Sequence, residues 1–136
     1  MSYLLDTNII SELVCPKPAK AVLGWFDDVP SEALHISVLT LGEIRKGIKQ
    51  MGKSTRREKL RTWLEHDLAA WFDRRVLPID VAVADRWGRL AAQFERPVPS
   101  VVSLLAATAL HHELCLVTRN VKDFNYPGLD VVNPWG

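Results

Sequence analysis

Tyr3-Leu4-Leu5-Asp6-Thr7-Asn8-Ile9-Ile10 is the stretch on which the fold turns. Three apolar residues of strand character run straight into an acid, a hydroxyl and an amide, and helical spacing takes over from Ile9. A carboxylate at the edge of a core is costly unless it caps a helix or does chemistry. Asp6 or Asn8 suits the N-cap of a helix ending near Val14, so both readings stand at this point.

The same grammar recurs along the chain. Leu34-His35-Ile36, Val76-Leu77, Leu114 to Val117 and Val131-Val132 are short strand-like runs. Between them, Asn8 to Val14, Ala19 to Asp27, Thr40 to Met51, Arg57 to Phe72, Ala82 to Phe94 and Val102 to His112 carry apolar residues at helical spacing. Strands alternating with helices predict an α/β fold with a parallel sheet. Pro16, Pro18, Pro30, Gly52, Pro78, Pro97, Pro99, Pro127 and Gly128 fall in the connections, and no repeat or linker interrupts them, so residues 1–136 read as a single domain. That length allows one core, burying roughly two thirds of the unfolded surface.

Composition narrows the classes. With 48% hydrophobic and 24% charged residues the chain is globular rather than disordered or coiled-coil. Seventeen Lys and Arg balance sixteen Asp and Glu, so no global field marks a partner and charge has to be read locally. Cys15 and Cys115 lie far apart with no Cys/His cluster, which argues against both a disulfide framework and zinc. The opening Met1-Ser2-Tyr3-Leu4-Leu5-Asp6 lacks a basic leader, and Ser103 and Thr108 interrupt the most apolar segment, Val101 to Leu110. A cytoplasmic protein without a membrane partner is expected.

In a parallel sheet the ligand crevice lies beyond the carboxyl ends of the strands. Three polar clusters follow strands here: Asp6-Thr7-Asn8, then Glu43 within Ser37-Val38-Leu39-Thr40-Leu41-Gly42-Glu43, then Thr118-Arg119-Asn120-Val121-Lys122-Asp123. Thr40 and Glu43 also have the spacing of a capping box, and Asn120 and Asp123 also suit a turn. Two or three carboxylates brought together repel by about 4 kcal/mol per close pair at an effective dielectric near 20 unless a cation sits between them. Oxygen donors without thiols or imidazoles select Mg²⁺ or Mn²⁺, and hard metal on carboxylates points to phosphodiester chemistry. A phosphorylated Asp6 is a poorer reading, because that chemistry needs a second acid where Asn8 stands.

Leu4-Leu5-Asp6-Thr7-Asn8, Leu41-Gly42-Glu43-Ile44-Arg45-Lys46-Gly47, Leu104-Leu105-Ala106-Ala107-Thr108-Ala109 and Val117-Thr118-Arg119-Asn120 resemble, in this order, the motifs of PIN domains. More narrowly the chain resembles the VapC ribonuclease toxins, and the ending Val132-Asn133-Pro134-Trp135 is similar to that of one VapC-like subgroup. The resemblance implies a five-stranded parallel sheet flanked by helices and Mg²⁺- or Mn²⁺-dependent endoribonuclease cleavage of structured RNA. It also implies a homodimer and a VapB-like antitoxin as partners. By position, Asp6 and Glu43 match acidic metal-holding residues, and Thr118 matches a hydroxyl that orients the first acid. Asn120 stands where members carry a fourth acid or an Asn, with Asp123 as a nearby substitute. One position departs: four residues before Ala106, where the family places a metal-binding Asp, this sequence has Val102. An apolar side chain coordinates nothing, so an impaired ribonuclease, or a silent PIN module that still dimerises and binds an antitoxin, is expected.

A basic run follows Glu43. Arg45, Lys46, Lys49 and Lys53, with Arg56, Arg57, Lys59 and Arg61 behind them, form either an RNA-facing flank or a solvated face. Trp63 and Trp71, eight apart with Leu60, Leu64 and Phe72 beside them, read as one apolar stripe of the core.

Overall fold

A computed structural model describes residues 1–136. Strand β1 (Tyr3–Leu5) lies at the centre of a five-stranded sheet of order β3-β2-β1-β4-β5, where β2 is Leu34–Ser37, β3 Val76–Leu77, β4 Cys115–Val117 and β5 Val131–Val132. Every pairing is parallel, with Leu4 opposite His35 on one side and Leu116 on the other. The expected α/β architecture is therefore present, and all five strands fall on the expected runs.

Side chains alternate across a strand, so neighbouring leucines of β1 serve opposite layers. Leu5 enters a core with Ile9, Ile10, Ile36, Ile44, Ile48, Leu64, Leu68 and Phe72. Leu4 enters the other with Val83, Leu90, Leu105, Ala106, Leu116 and Phe124. The first layer is covered by α1 (Thr7–Glu12), α2 (Lys20–Asp28), α3 (Val38–Gln50), α4 (Thr55–Thr62) and α5 (Ala69–Phe72). On the second, α6 (Val81–Ala91) packs along α7 (Ser100–His111), tied by Trp87 Nε1 donating to Ser103 Oγ at 2.8 Å, while Ser103 Oγ donates to Pro99 O at 2.6 Å. Both cysteines are free, and no helix is long and apolar enough to cross a membrane.

Two local expectations are corrected. The helix expected from Thr40 begins at Val38, because Ser37 is its N-cap and accepts from the Leu39 amide at 3.0 Å. Thr40 is thus already inside the helix and fully buried, and no capping box with Glu43 forms. The helix expected over Arg57 to Phe72 contains a π-helical stretch, Trp63–Leu68, between α4 and α5. Both tryptophans pack against the core of this layer, as the apolar stripe predicts. Trp71 packs against Phe26 and Phe72, while Trp63 faces a surface groove with Leu60 and Val14.

Ser37 sets where α3 starts and hence where Glu43 points. Ser37→Ala should lower stability by about 1 kcal/mol, read as a lower urea midpoint at unchanged slope.

Candidate active site

Successive strands β1, β2 and β3 spread to one side of the sheet, and β4 and β5 to the other. The chain therefore reverses between β1 and β4, and crevices in such sheets open at the carboxyl ends of the two strands flanking that point. Asp6 ends β1 and Thr118 ends β4.

The backbone ladder carries on one step past the strands, with Asp6 N donating to Val117 O at 2.9 Å. Asp6 is only 8% exposed. Its Oδ1 accepts from the Thr7 amide at 2.8 Å, so it does cap α1, and its Oδ2 accepts from Thr118 Oγ1 at 2.8 Å. Asn8 Nδ2 sits between the same partners, 3.4 Å from Asp6 Oδ2 and 3.2 Å from Thr118 Oγ1, and Asn8 Oδ1 accepts from the Arg119 amide at 3.2 Å. Thr118 Oγ1 also accepts from the Asn120 amide at 3.0 Å. One hydroxyl thus joins the ends of β1 and β4 and the turn that follows.

Glu43 reaches this cluster from α3 and accepts from Thr7 Oγ1 at 2.5 Å. A cleft of about 300 Å³ is lined by Asp6, Glu43, Val102, Asn120 and Asp123, with Thr7, Asn8 and the apolar Val101, Leu105 and Phe124. Asp123 arrives on the turn of 3₁₀ helix after β4, its amide donating to Asn120 O. Burial pushes the Asp6 carboxyl above the ordinary carboxylate range. The Thr118 hydroxyl and the Thr7 amide pull it down, and the charges of Glu43 and Asp123 push it up again.

The residues singled out in the sequence thus meet in one place, and Val102 lies among them. Sequence reasoning missed Thr7 and Asn8 as members of the network. The signal was their position directly after Asp6, because the first turn of α1 cannot leave the crevice. The basic run divides. Arg45 pairs with Glu65 at 3.1 Å, and Arg61 bridges Glu58 and the same Glu65. Lys46, one turn beyond Glu43 on α3, and Lys49 and Lys53 are exposed and make no ion pair.

No three acidic, histidine or cysteine side chains come together as a ready-made ligand cluster. The donors that do share the cleft are carboxylate oxygens. Such a set fits a hard, hydrated dication of the Mg²⁺ or Mn²⁺ kind, which takes one or two carboxylates and keeps its waters. It does not fit a metal caged wholly by protein.

The sequence profile of the PIN domain matches residues 3–126. The chain belongs to the PIN-domain family. Among its relatives is VapC ribonuclease Y4jK of Sinorhizobium fredii, 36% identical over 135 residues that span 97% of this chain and 96% of that one. The crystal structure of FitAcB from Neisseria gonorrhoeae superposes with a TM-score of 0.89 at 32% identity, covering 98% of each chain. A toxin–antitoxin complex from Klebsiella pneumoniae superposes with a TM-score of 0.69 at 29% identity, again over 98% of each chain. The PIN domain's five-stranded parallel sheet and flanking helices are those expected from the four motifs.

The Asp6–Thr118 bond has a pH signature. Asp6 in the folded chain holds its proton more tightly than in the unfolded chain, so its contribution to stability is present in acid and is lost as pH rises through the raised value. Removing the one hydroxyl that favours the charged form deepens that loss. Thr118→Val should cost about 1.5–3 kcal/mol at pH 7, the range for a bond to a charged group, with the difference shrinking as Asp6 is protonated. Urea melts across pH, with the Asp6 carboxyl carbon followed by NMR, check both.

Proposed function

We propose that this chain is the toxin of a toxin–antitoxin pair, an endoribonuclease dependent on Mg²⁺ or Mn²⁺ that cleaves structured RNA and is impaired by Val102. The carrying observation is the cleft at the switch point of the sheet, which Asp6, Glu43, Asn120 and Asp123 all line. The ribonuclease name of the Y4jK relative and coverage of nearly the whole chain support the activity.

A hard dication bound there would polarise a phosphodiester and lower the pKa of an attacking water. This chain's own residues have separate tasks. Asp6, held at both oxygens, and Glu43, held at one, would supply carboxylate oxygen to that ion, with Asp123 on the same cleft. Thr118 orients Asp6, and the Asn120 amide in turn fixes Thr118. Lys46, Lys49 and Lys53 are free to meet phosphates, whereas Arg45 is committed to Glu65.

Val102 supports the second reading, a PIN module that binds its partners without cutting RNA. It occupies the cleft wall with methyl groups where a further oxygen is expected, and loss of a ligand should cost at least the ten- to hundredfold that outer partners are worth. Val102→Asp should therefore raise Mg²⁺-dependent cleavage of total RNA at least tenfold, with a matching gain in Mn²⁺ affinity. Equal cleavage by both chains would mean that Val102 does not stand at a ligand position.

The partners proposed are a second copy of this chain and a small VapB-like antitoxin, as the toxin–antitoxin complex among the structural neighbours suggests. From Thr7 and Glu43 a groove continues over Ile44, Gly47, Ile48 and Met51 to Leu60 and Trp63, mostly apolar and open. A helical antitoxin segment lying there would bring its end to the carboxylates. Co-expressed with the small protein encoded beside it, the chain should elute as a complex with at least two PIN domains by light scattering, and Trp63→Glu should release the antitoxin. A co-expressed wild-type chain that elutes as a monomer without antitoxin would count against this assignment.

A further inference from the structure

Thr7 is the one residue that holds both principal carboxylates of the cleft. Its backbone amide donates to Asp6 Oδ1 at 2.8 Å, and its side-chain hydroxyl donates to Glu43 Oε1 at 2.5 Å, across 36 positions of sequence. We infer that Thr7 is a positioning residue, whose hydroxyl fixes the Glu43 carboxylate against Asp6 so that the two address one divalent cation. The inference rests on the hard-metal reading of the cleft.

Three observations carry it. First, Thr7 Oγ1 is the only hydrogen-bond partner of the Glu43 carboxylate. Asp6 by contrast is held by Thr7, Thr118 and Asn8 and needs no help from Glu43 to stay in place. Second, Asp6 and Glu43 line the same cleft, so their like charges repel while no cation lies between them. A half-exposed glutamate on a helix face relieves that repulsion by swinging into solvent, and it has three rotatable bonds with which to do so. The hydroxyl opposes the swing with a directional bond to one oxygen and leaves Oε2 free for a ligand. Third, Thr7 and Glu43 both line the cleft and the neighbouring apolar groove, so the bond between them stands where the two concavities meet. Thr7 is also the first residue of α1, where its amide is fixed by the Asp6 cap. The position of the hydroxyl is therefore set by the same backbone that places Asp6.

The experiment is a calorimetric titration of the full chain with Mn²⁺, comparing wild type, Thr7→Val, Thr7→Ser, Glu43→Gln and the Thr7→Val/Glu43→Gln double variant, with melting temperatures alongside. Valine keeps the shape of threonine and removes the donor. Thr7→Val should weaken Mn²⁺ binding tenfold or more at a nearly unchanged melting temperature, and Thr7→Ser should restore it. In the Glu43→Gln background Thr7→Val should add no further loss, because the hydroxyl acts through Glu43. Wild-type affinity in Thr7→Val, failure of Thr7→Ser to restore binding, or an undiminished loss in the Glu43→Gln background would each overturn the positioning role alone. A wild-type chain that binds no Mn²⁺ would overturn the metal reading of the cleft and this role with it.

Discussion

A carboxylate is buried at the carboxyl end of the central strand, and the surroundings of the site follow from keeping it there. Asp6 is 8% exposed, and its charge is tolerated only because donors reach it from the α1 amide, the Thr118 hydroxyl and, more loosely, the Asn8 amide. These donors come from two different segments, so β1 and β4 must be neighbours and in register. Leu5 opposite Val117 is the register that puts Asp6 and Thr118 side by side. A slip of one residue would turn Leu4 and Leu5 to the wrong layers and part the carboxylate from its hydroxyl at once. Core packing and site assembly are the same constraint seen from two sides.

Much of this was legible in the sequence because it depends on adjacency along the chain. Short apolar runs between helical stretches located all five strands, and the parallel rule then put Asp6 and Thr118 at one edge. Glu43 was legible as a candidate but not its posture. Thr40 and Glu43 have capping-box spacing, yet the helix starts two residues earlier, because Ser37, the small hydroxyl residue that ends β2, caps it at once. The π-helical stretch at Trp63–Leu68 was not legible, since apolar spacing cannot tell one wide turn from an ordinary one. The pairing of Arg45 with Glu65 was hidden for another reason. It joins residues 20 apart through the packing of α3 on the following helix, and a run of like charges gives no hint which member is already taken.

Thr7 shows a third kind of illegibility. A hydroxyl next to an acid reads as part of a cap, and so it is, through its amide. The role of its side chain depends on where α3 lies, 36 residues on, and becomes visible only once the helices are packed. Short polar motifs therefore report their backbone duties in sequence and keep their side-chain duties for the fold.

Val102 draws these threads into one physical comparison. It is half-buried and packs at the margin of the layer that holds Leu105, Ala106 and Phe124, while the same side chain faces Asp6, Glu43 and Asp123. An aspartate there would add a negative charge to a cleft in which burial and two neighbouring carboxylates already push Asp6 up, and without a cation every carboxylate in the cleft would bear the extra repulsion. Valine removes that repulsion and adds apolar contact, at a helix-propensity cost below about 1 kcal/mol in the first turn of α7. On the proposed metal reading, an aspartate at this position would strengthen the hold on a cation and strain the metal-free fold. A protein whose remaining task is to be bound by partners gains from the valine, and one that must cut RNA does not.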